Sequence, residues 1–304
     1  MSAGKMHVDE IDTDVSLVRR LLAAQFPQWA DLPVAVVHSA GTDNALYRLG
    51  GDMVVRLPRI HAATDQVDIE HLWLPRLAPL LPLAIPVPLA KGAPGEGYPW
   101  RWSVYQWLAG ENATIERFAD PDQAARELAH FIAALQRIAP TGWPPPGPPT
   151  SFRGVPLSTR DAPTRAAIAA LDGMLDASAV TAAWEAALQT PAWDGPPVWI
   201  HADLLPLNLL VEQGRLSAVI DFGGLGLGDP ACDLMVAWNH FSADTRAAFR
   251  AALSVDDATW ARGRGWALSV GLIALPYYQN TNPILASIGR RAIDEALADQ
   301  QHAS

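Results

Sequence analysis

Apolar positions recur at helical spacing over residues 13–26, behind Asp12 and Thr13, whose short polar side chains suit a helix N-terminus. The period then shortens. Three β-prone runs, residues 34–38, 45–49 and 53–57, are separated by polar glycine-bearing turns, Ser39-Ala40-Gly41-Thr42-Asp43-Asn44 and Gly50-Gly51-Asp52. Residues 66–81 return to helical spacing, residues 87–91 read as a strand, and Trp102-Ser103-Val104-Tyr105-Gln106-Trp107-Leu108 reads as a last strand running into Ala109-Gly110-Glu111. Beyond it the pattern is mostly helical. Asp120-Pro121 opens a helix with Leu128, Phe131, Ile132, Leu135 and Ile138 on one face, and residues 140–149, with six prolines and two glycines, form a stiff loop. Two short β-prone runs, residues 209–212 and 216–220, flank a tight turn at Gln213-Gly214-Arg215, and the last third is helical. The pattern predicts an α/β (α+β) chain: a small β-rich lobe over residues 1–108 and a larger, mostly helical lobe over residues 109–304.

Composition narrows the partners. Half of the 304 residues are hydrophobic, enough for a buried core in each lobe. The formal net charge is −10 and no block of Lys and Arg occurs, which disfavours nucleic acid or an anionic membrane and favours a cationic ligand. The single cysteine, Cys232, excludes an internal disulfide and a cysteine-built metal site, and reads as a small core residue in a reducing compartment. Residues 1–10 carry no apolar leader pattern, and no run reaches eighteen apolar residues, so the expectation is a soluble cytoplasmic protein of open oligomeric state.

The chemistry lies in His201-Ala202-Asp203-Leu204-Leu205-Pro206-Leu207-Asn208 and, thirteen residues past Asn208, Asp221-Phe222-Gly223. These spell H-x-D-L-x-x-x-N and D-F-G, the catalytic and metal loops of kinase-type phosphoryl transfer. The intervening hairpin should bring Asn208 and Asp221 to the same end. Two oxygen ligands suit a magnesium nucleotide, because Mg²⁺ takes one or two protein groups and completes its octahedron with phosphates and water.

With Gly228-Asp229-Pro230-Ala231-Cys232-Asp233-Leu234 behind the D-F-G, the chain resembles the aminoglycoside phosphotransferase family, the small-molecule branch of the protein-kinase-like fold. A protein kinase would carry a long activation segment there, whereas Gly223-Gly224-Leu225-Gly226-Leu227 leads almost at once into a helix-like stretch. The resemblance implies a two-lobed fold with Asp203 as base, Asn208 and Asp221 on Mg²⁺, and ATP or GTP as phosphoryl donor. His201 packs under the loop, Asp233 anchors it through backbone N–H groups, and Asp229 caps the following helix. Gly41, Thr42 and Asn44 lie on the turn that covers the phosphates. Where the family usually places a phosphate-gripping Lys, this chain has Arg56; Lys5 and Lys91 are its only lysines. Arg56 takes that role with Glu70 as ion partner and Asp68 as fallback, or it is a surface residue on an edge strand. The Gln106 C=O and Leu108 N–H are expected on an adenine-type base, with Trp107 packed in the core or under that base. The acceptor is a small hydroxylated molecule, cationic on the charge argument. An aminoglycoside-like antibiotic comes first; a macrolide, amino alcohol or sugar, or a nucleotide-binding pseudokinase without turnover, are the alternatives. Carboxylates of the last hundred residues, Asp244, Asp256, Asp257, Asp294 and Glu295, are the candidates to face a cation, while Trp238, Trp260 and Trp266 read as core.

Overall fold

The computed structural model describes residues 10–142 and 153–303, so the N-terminal stretch 1–9 and most of the proline-rich loop lie outside the described residues. The chain forms two compact units, residues 1–110 with 218–223, and residues 111–217 with 224–304. The return of residues 218–223 to the first unit has no counterpart in the local sequence pattern.

In the first unit, α1 (Val15–Gln25) starts at Asp14, whose carboxylate accepts the Leu17 N–H at 2.6 Å. The cap is therefore Asp14, not Asp12 or Thr13; the Thr13 hydroxyl accepts from Tyr47 at 2.9 Å instead. The strands β1 (Val34–Val37), β2 (Asn44–Leu49) and β3 (Met53–Pro58) precede α2 (Thr64–Leu77), and β4 (Pro88–Gly92) and β5 (Trp102–Gln106) follow it. They build one antiparallel sheet in the order β1-β2-β3-β5-β4. Because side chains alternate along a strand, Ala45, Tyr47 and Leu49 of β2 and Val55 and Leu57 of β3 pack with Val18, Leu21 and Leu22 of α1. Arg56 therefore points to the other face, where α2 supplies Glu70. Helix α2 stops at Leu77, short of the expected residue 81, and passes into a 3₁₀ turn at Ala78–Leu80 just beyond Pro75.

The second unit opens with β6 (Glu111–Asn112) and α3 (Pro121–Arg137), whose cap Asp120 accepts the Gln123 N–H at 3.0 Å. Leu128, Phe131, Ile132 and Leu135 make its buried stripe as the spacing predicts, whereas Ile138 lies past the helix end as its extended C-cap. Then come α4 (Asp161–Ala170), α5 (Ala177–Gln189) and β7 (Val198–Ile200). The hairpin forms from β8 (Leu209–Glu212) and β9 (Arg215–Val219), with Gln213 and Gly214 both at positive φ in its turn. Strand β10 (Gly226–Gly228) pairs with β7. The helices α6 (Val236–Asn239), α7 (Ala243–Leu253), α8 (Asp257–Tyr278) and α9 (Pro283–Ala303) complete the unit, with Trp238, Trp260 and Trp266 in its core. Helices α8 and α9 touch backbone to backbone: a Cβ on Gly271 would sit 2.7 Å from the Gly289 carbonyl oxygen. Among the described residues no helix is long and apolar enough to cross a membrane.

Candidate active site

Arg56 anchors the site in the first unit. Its Nη1 donates to both Glu70 oxygens at 2.6 and 2.7 Å, and its Nη2 donates to Asp221 Oδ1 at 2.8 Å. With the Asn44 amide oxygen turned toward the guanidinium, Nη2 and Nε also reach it, at 2.9 and 3.2 Å. Glu70 is only 1% exposed and takes a further hydrogen bond from the Tyr105 hydroxyl. Burial disfavours the Arg56 charge, but Glu70 and then Asp221 more than offset it, so its pKa rises. Burial, then the Glu70 charge, push the Tyr105 phenol up as well. The sequence pattern places Tyr105 on a strand but gives it no place at the site, since it meets this face only through the pairing of β3 with β5. The surface-residue alternative for Arg56 does not hold. Asp68, the fallback partner, pairs with Lys91 and Arg101.

The turn expected over the phosphates is internally bonded. The Gly41 N–H donates to Ser39 Oγ at 3.0 Å, the Thr42 hydroxyl donates to Asp43 at 2.7 Å, and the Asn44 side chain holds Arg56. At the end of β5, Gln106 is exposed and Leu108 half-buried, with the Trp107 N–H on the Asp52 carbonyl at 2.7 Å. Trp107 does not enter the core: it is half-buried and stacks on Arg48, 4.0 Å from guanidinium carbon to ring centroid.

The loop after β7 carries Asp203 in the second unit. Asp233, fully buried, accepts the His201 and Ala202 N–H groups at 2.8 and 2.7 Å. That anchoring role is the expected one. Burial raises the Asp233 pKa, with His201 and the two backbone donors opposing. The loop is strained: Ala202 has φ +66°, a conformation costly for a residue with a Cβ. It is held on all sides. Asn239 donates to the Leu204 carbonyl at 3.0 Å, and His201 is buried with its Nδ1 3.2 Å from the Asp203 nitrogen, as a positioning residue requires. Asn208 Nδ2 donates to the Asp203 carbonyl at 2.7 Å and to its Oδ2 at 3.1 Å. Arg153 Nη1 donates to the Ala202 carbonyl at 2.7 Å and to Asp203 Oδ1. No motif signals Arg153, which follows the proline-rich stretch.

Asp221 is also at positive φ, +63°, and its carboxylate is 42% exposed. Asp229 does more than cap. It accepts the Ala231 N–H at 2.9 Å and also binds Arg262 at 2.7 and 3.2 Å in a buried ion pair. Cys232 is fully buried and burial pushes its thiol pKa up, so it is a core residue rather than a nucleophile.

Residues 34–266 match the family model of the phosphotransferase enzyme family, APH. The chain belongs to the phosphotransferase enzyme family. No curated protein matches it by sequence. Among solved structures it is similar to a GDP and kanamycin complex of APH(2")-IIia, at 20% identity over 93% of this chain and 98% of that one, with a TM-score of 0.73. It is also similar to a streptomycin–ATP complex of APH(2")-IIa, at 16% identity over 92% and 96%, TM-score 0.60. A third neighbour is the macrolide 2'-phosphotransferase MphH from Brachybacterium faecium, at 24% identity over 92% and 98%, TM-score 0.60. These likenesses establish the two-lobed kinase-like fold, and the family match makes the chain a phosphotransferase.

In this phosphotransferase most carboxylates expected to face a cationic acceptor are already engaged. Asp256 caps α8, Asp257 pairs with Arg250, Asp294 with Arg290 and Glu295 with Arg246. Next to Asn239, which donates to the Leu204 carbonyl of the Asp203 loop, His240 is buried against Phe118 with its Nε2 lacking a partner among the described residues. Burial, then Arg291, lower its pKa from 6.5 to about 4. A lowered pKa means the unfolded chain binds the proton more readily, so stability falls as pH drops from about 6.5 to about 4. The loss should approach about 3 kcal/mol. Denaturant unfolding at pH 7 and pH 4 checks this: His240→Leu should flatten the pH dependence by that amount, and an equally steep variant would rule His240 out as its source.

Proposed function

We propose that this phosphotransferase transfers the γ-phosphoryl group of a magnesium nucleotide, ATP or GTP, to a hydroxyl of a small molecule, an aminoglycoside-like antibiotic being the first acceptor class. The observation that carries the reading is the pinned loop of Asp203: a partly exposed carboxylate aligned by Asn208 and Arg153 on a strained backbone that Asp233 holds in place. Asp203 accepts the proton of the attacking hydroxyl, and Asn208 and Asp221 hold Mg²⁺. The donor set fits that ion. Both Asn208 Nδ2 bonds run to Asp203, which leaves its Oδ1 as a hard oxygen acceptor, and Asp221 adds an exposed carboxylate. Bound Mg²⁺ supplies charge neutralisation at the β- and γ-phosphoryl oxygens. Gln106 and Leu108 hold the base, and Gly41 and Thr42 lie over the phosphates.

Arg56 has acceptors for all five of its N–H groups, so it meets phosphate only when one partner lets go. We assign that partner as Asp221, which leaves Arg56 when it takes the metal and so frees an Nη2 hydrogen, while Glu70 keeps the side chain in place. Arg56→Ala should therefore impair nucleotide use far more than Arg56→Lys, and it should also destabilise the fold by about 3–5 kcal/mol because Glu70 is left buried and unpaired. Steady-state kinetics with thermal unfolding separates the two effects. Parent-like kinetics in both variants would reduce Arg56 to a structural ion pair.

The cationic acceptor rests on the net charge of −10 and on neighbours whose structures hold kanamycin and streptomycin. The buried thiol of Cys232 suits a cytoplasmic enzyme. The test is nucleotide consumption against a panel of hydroxylated amines, macrolides and sugars at two ionic strengths. A cationic acceptor's KM should rise with salt, as exposed charges are screened over roughly 8–10 Å. A neutral acceptor with a salt-independent KM would remove the aminoglycoside assignment, and no turnover with any acceptor would count against the kinase reading itself.

A further inference from the structure

We propose that Arg153 is a second catalytic residue of the Asp203 loop: it aligns the base through Nη1 and presents its remaining N–H groups to the oxygens of the transferring phosphoryl group. The proposal rests on the reading of Asp203 as base.

Three observations carry it. The first is incomplete use of the guanidinium. Nη1 serves the Ala202 carbonyl and Asp203, whereas Nη2 and Nε have no hydrogen-bond partner among the described residues, and the side chain is 27% exposed. Arg56, by contrast, is saturated. A planar fork with donors left over beside a carboxylate is built to take a second oxyanion.

The second is the backbone beneath it. Gly154 has φ +75° and its carbonyl accepts the Asp229 N–H at 2.8 Å, while a Cβ at Gly228 would lie 2.5 Å from the Gly154 oxygen. Asp229 is in turn clamped by Arg262 at 2.7 Å. The backbone next to Arg153 is thus tied to the Gly228-Asp229 run, which sets where the side chain starts relative to Asp203, a degree of preorganisation that a surface ion pair does not need. A pair in which Asp203 is 28% exposed adds little to stability, so stability does not account for it.

The third is distance. In the reaction the acceptor oxygen bonds to the γ-phosphorus as the bridging P–O bond to the β-phosphate breaks. The bond pair leaves with the nucleoside diphosphate, and the hydroxyl proton goes to Asp203. The hydroxyl must lie about 2.6–3.2 Å from the base and about 3–3.5 Å from phosphorus, so the phosphoryl oxygens pass within about 4–6 Å of the carboxylate that Arg153 already touches. Charge on those oxygens in the loose transition state is what a preorganised cation stabilises.

The test is binding, and it needs no knowledge of the acceptor. Mg·ADP or Mg·GDP, whichever the parent binds, is titrated alone and with aluminium fluoride, a mimic of the phosphoryl in flight, into the parent, Arg153→Ala and Arg153→Lys. Diphosphate affinity should stay within about threefold, while the tightening caused by fluoride should fall on the order of 10²-fold in the Ala variant and be partly kept by Lys. Undiminished fluoride tightening in Arg153→Ala would sink the assignment of Arg153 alone. Diphosphate binding and thermal stability lost together in both variants would make Arg153 a structural residue only. A parent that binds neither Mg·ADP nor Mg·GDP would overturn the nucleotide-dependent function and this assignment with it.

Discussion

Asp203→Ala is expected to abolish turnover while nucleotide affinity stays nearly unchanged. On the proposed reading the carboxylate works on the acceptor hydroxyl and not on the phosphates, and losing a positioned base costs on the order of 10²–10⁴ in rate. Truncation also removes acceptors from Asn208 Nδ2 and Arg153 Nη1, but each keeps a backbone carbonyl, of Asp203 and Ala202 respectively, so the loop itself should persist. Asp203→Asn is the sharper comparison. It keeps the shape and one acceptor oxygen but is not a base, and it should lose nearly as much rate. Rapid-quench turnover beside equilibrium nucleotide binding decides the matter: a variant that turns over at the parent rate would move the base to another residue.

The parts of this site that were legible in the sequence are those held by short stretches of chain. Asp203 and Asn208 lie five residues apart and make their contact within one turn, and the hairpin between Asn208 and Asp221 follows from two β-prone runs around Gln213-Gly214. Asp233 was legible for a different reason: a buried acid that follows a catalytic loop has backbone N–H groups as natural partners. The contacts that were not legible join residues far apart. Arg153 meets Asp203 fifty residues on, and Tyr105 reaches Glu70 only because β5 rather than β4 lies beside β3. The start of α1 shifted for the same reason: Asp12, Thr13 and Asp14 are all good caps, but Tyr47 of β2 donates to the Thr13 hydroxyl and Asp14 takes the Leu17 N–H. The polar turn at Asn44 is legible in the sequence, but nothing in the turn itself says that the amide faces Arg56.

Asp221→Asn should raise the Mg²⁺ requirement and weaken nucleotide binding, on the order of 10–100-fold in apparent metal affinity, because it removes a full charge from the cation's shell. The same carboxylate neutralises one side of Arg56, and it does so from a left-handed backbone, φ +63°, that Asn tolerates about as well as Asp. The substitution is therefore close to neutral in conformation, which makes the charge the variable under test. It also weakens the hold on Arg56 Nη2, so the guanidinium should turn to phosphate more readily even as the metal binds less well. The two effects have different signatures. Titrating Mg²⁺ at fixed nucleotide should shift the midpoint upward, whereas metal-free nucleotide binding should hold or strengthen slightly. An unchanged Mg²⁺ midpoint would place the metal on other residues, and weaker metal-free binding would argue against the exchange of Asp221 for phosphate on Arg56.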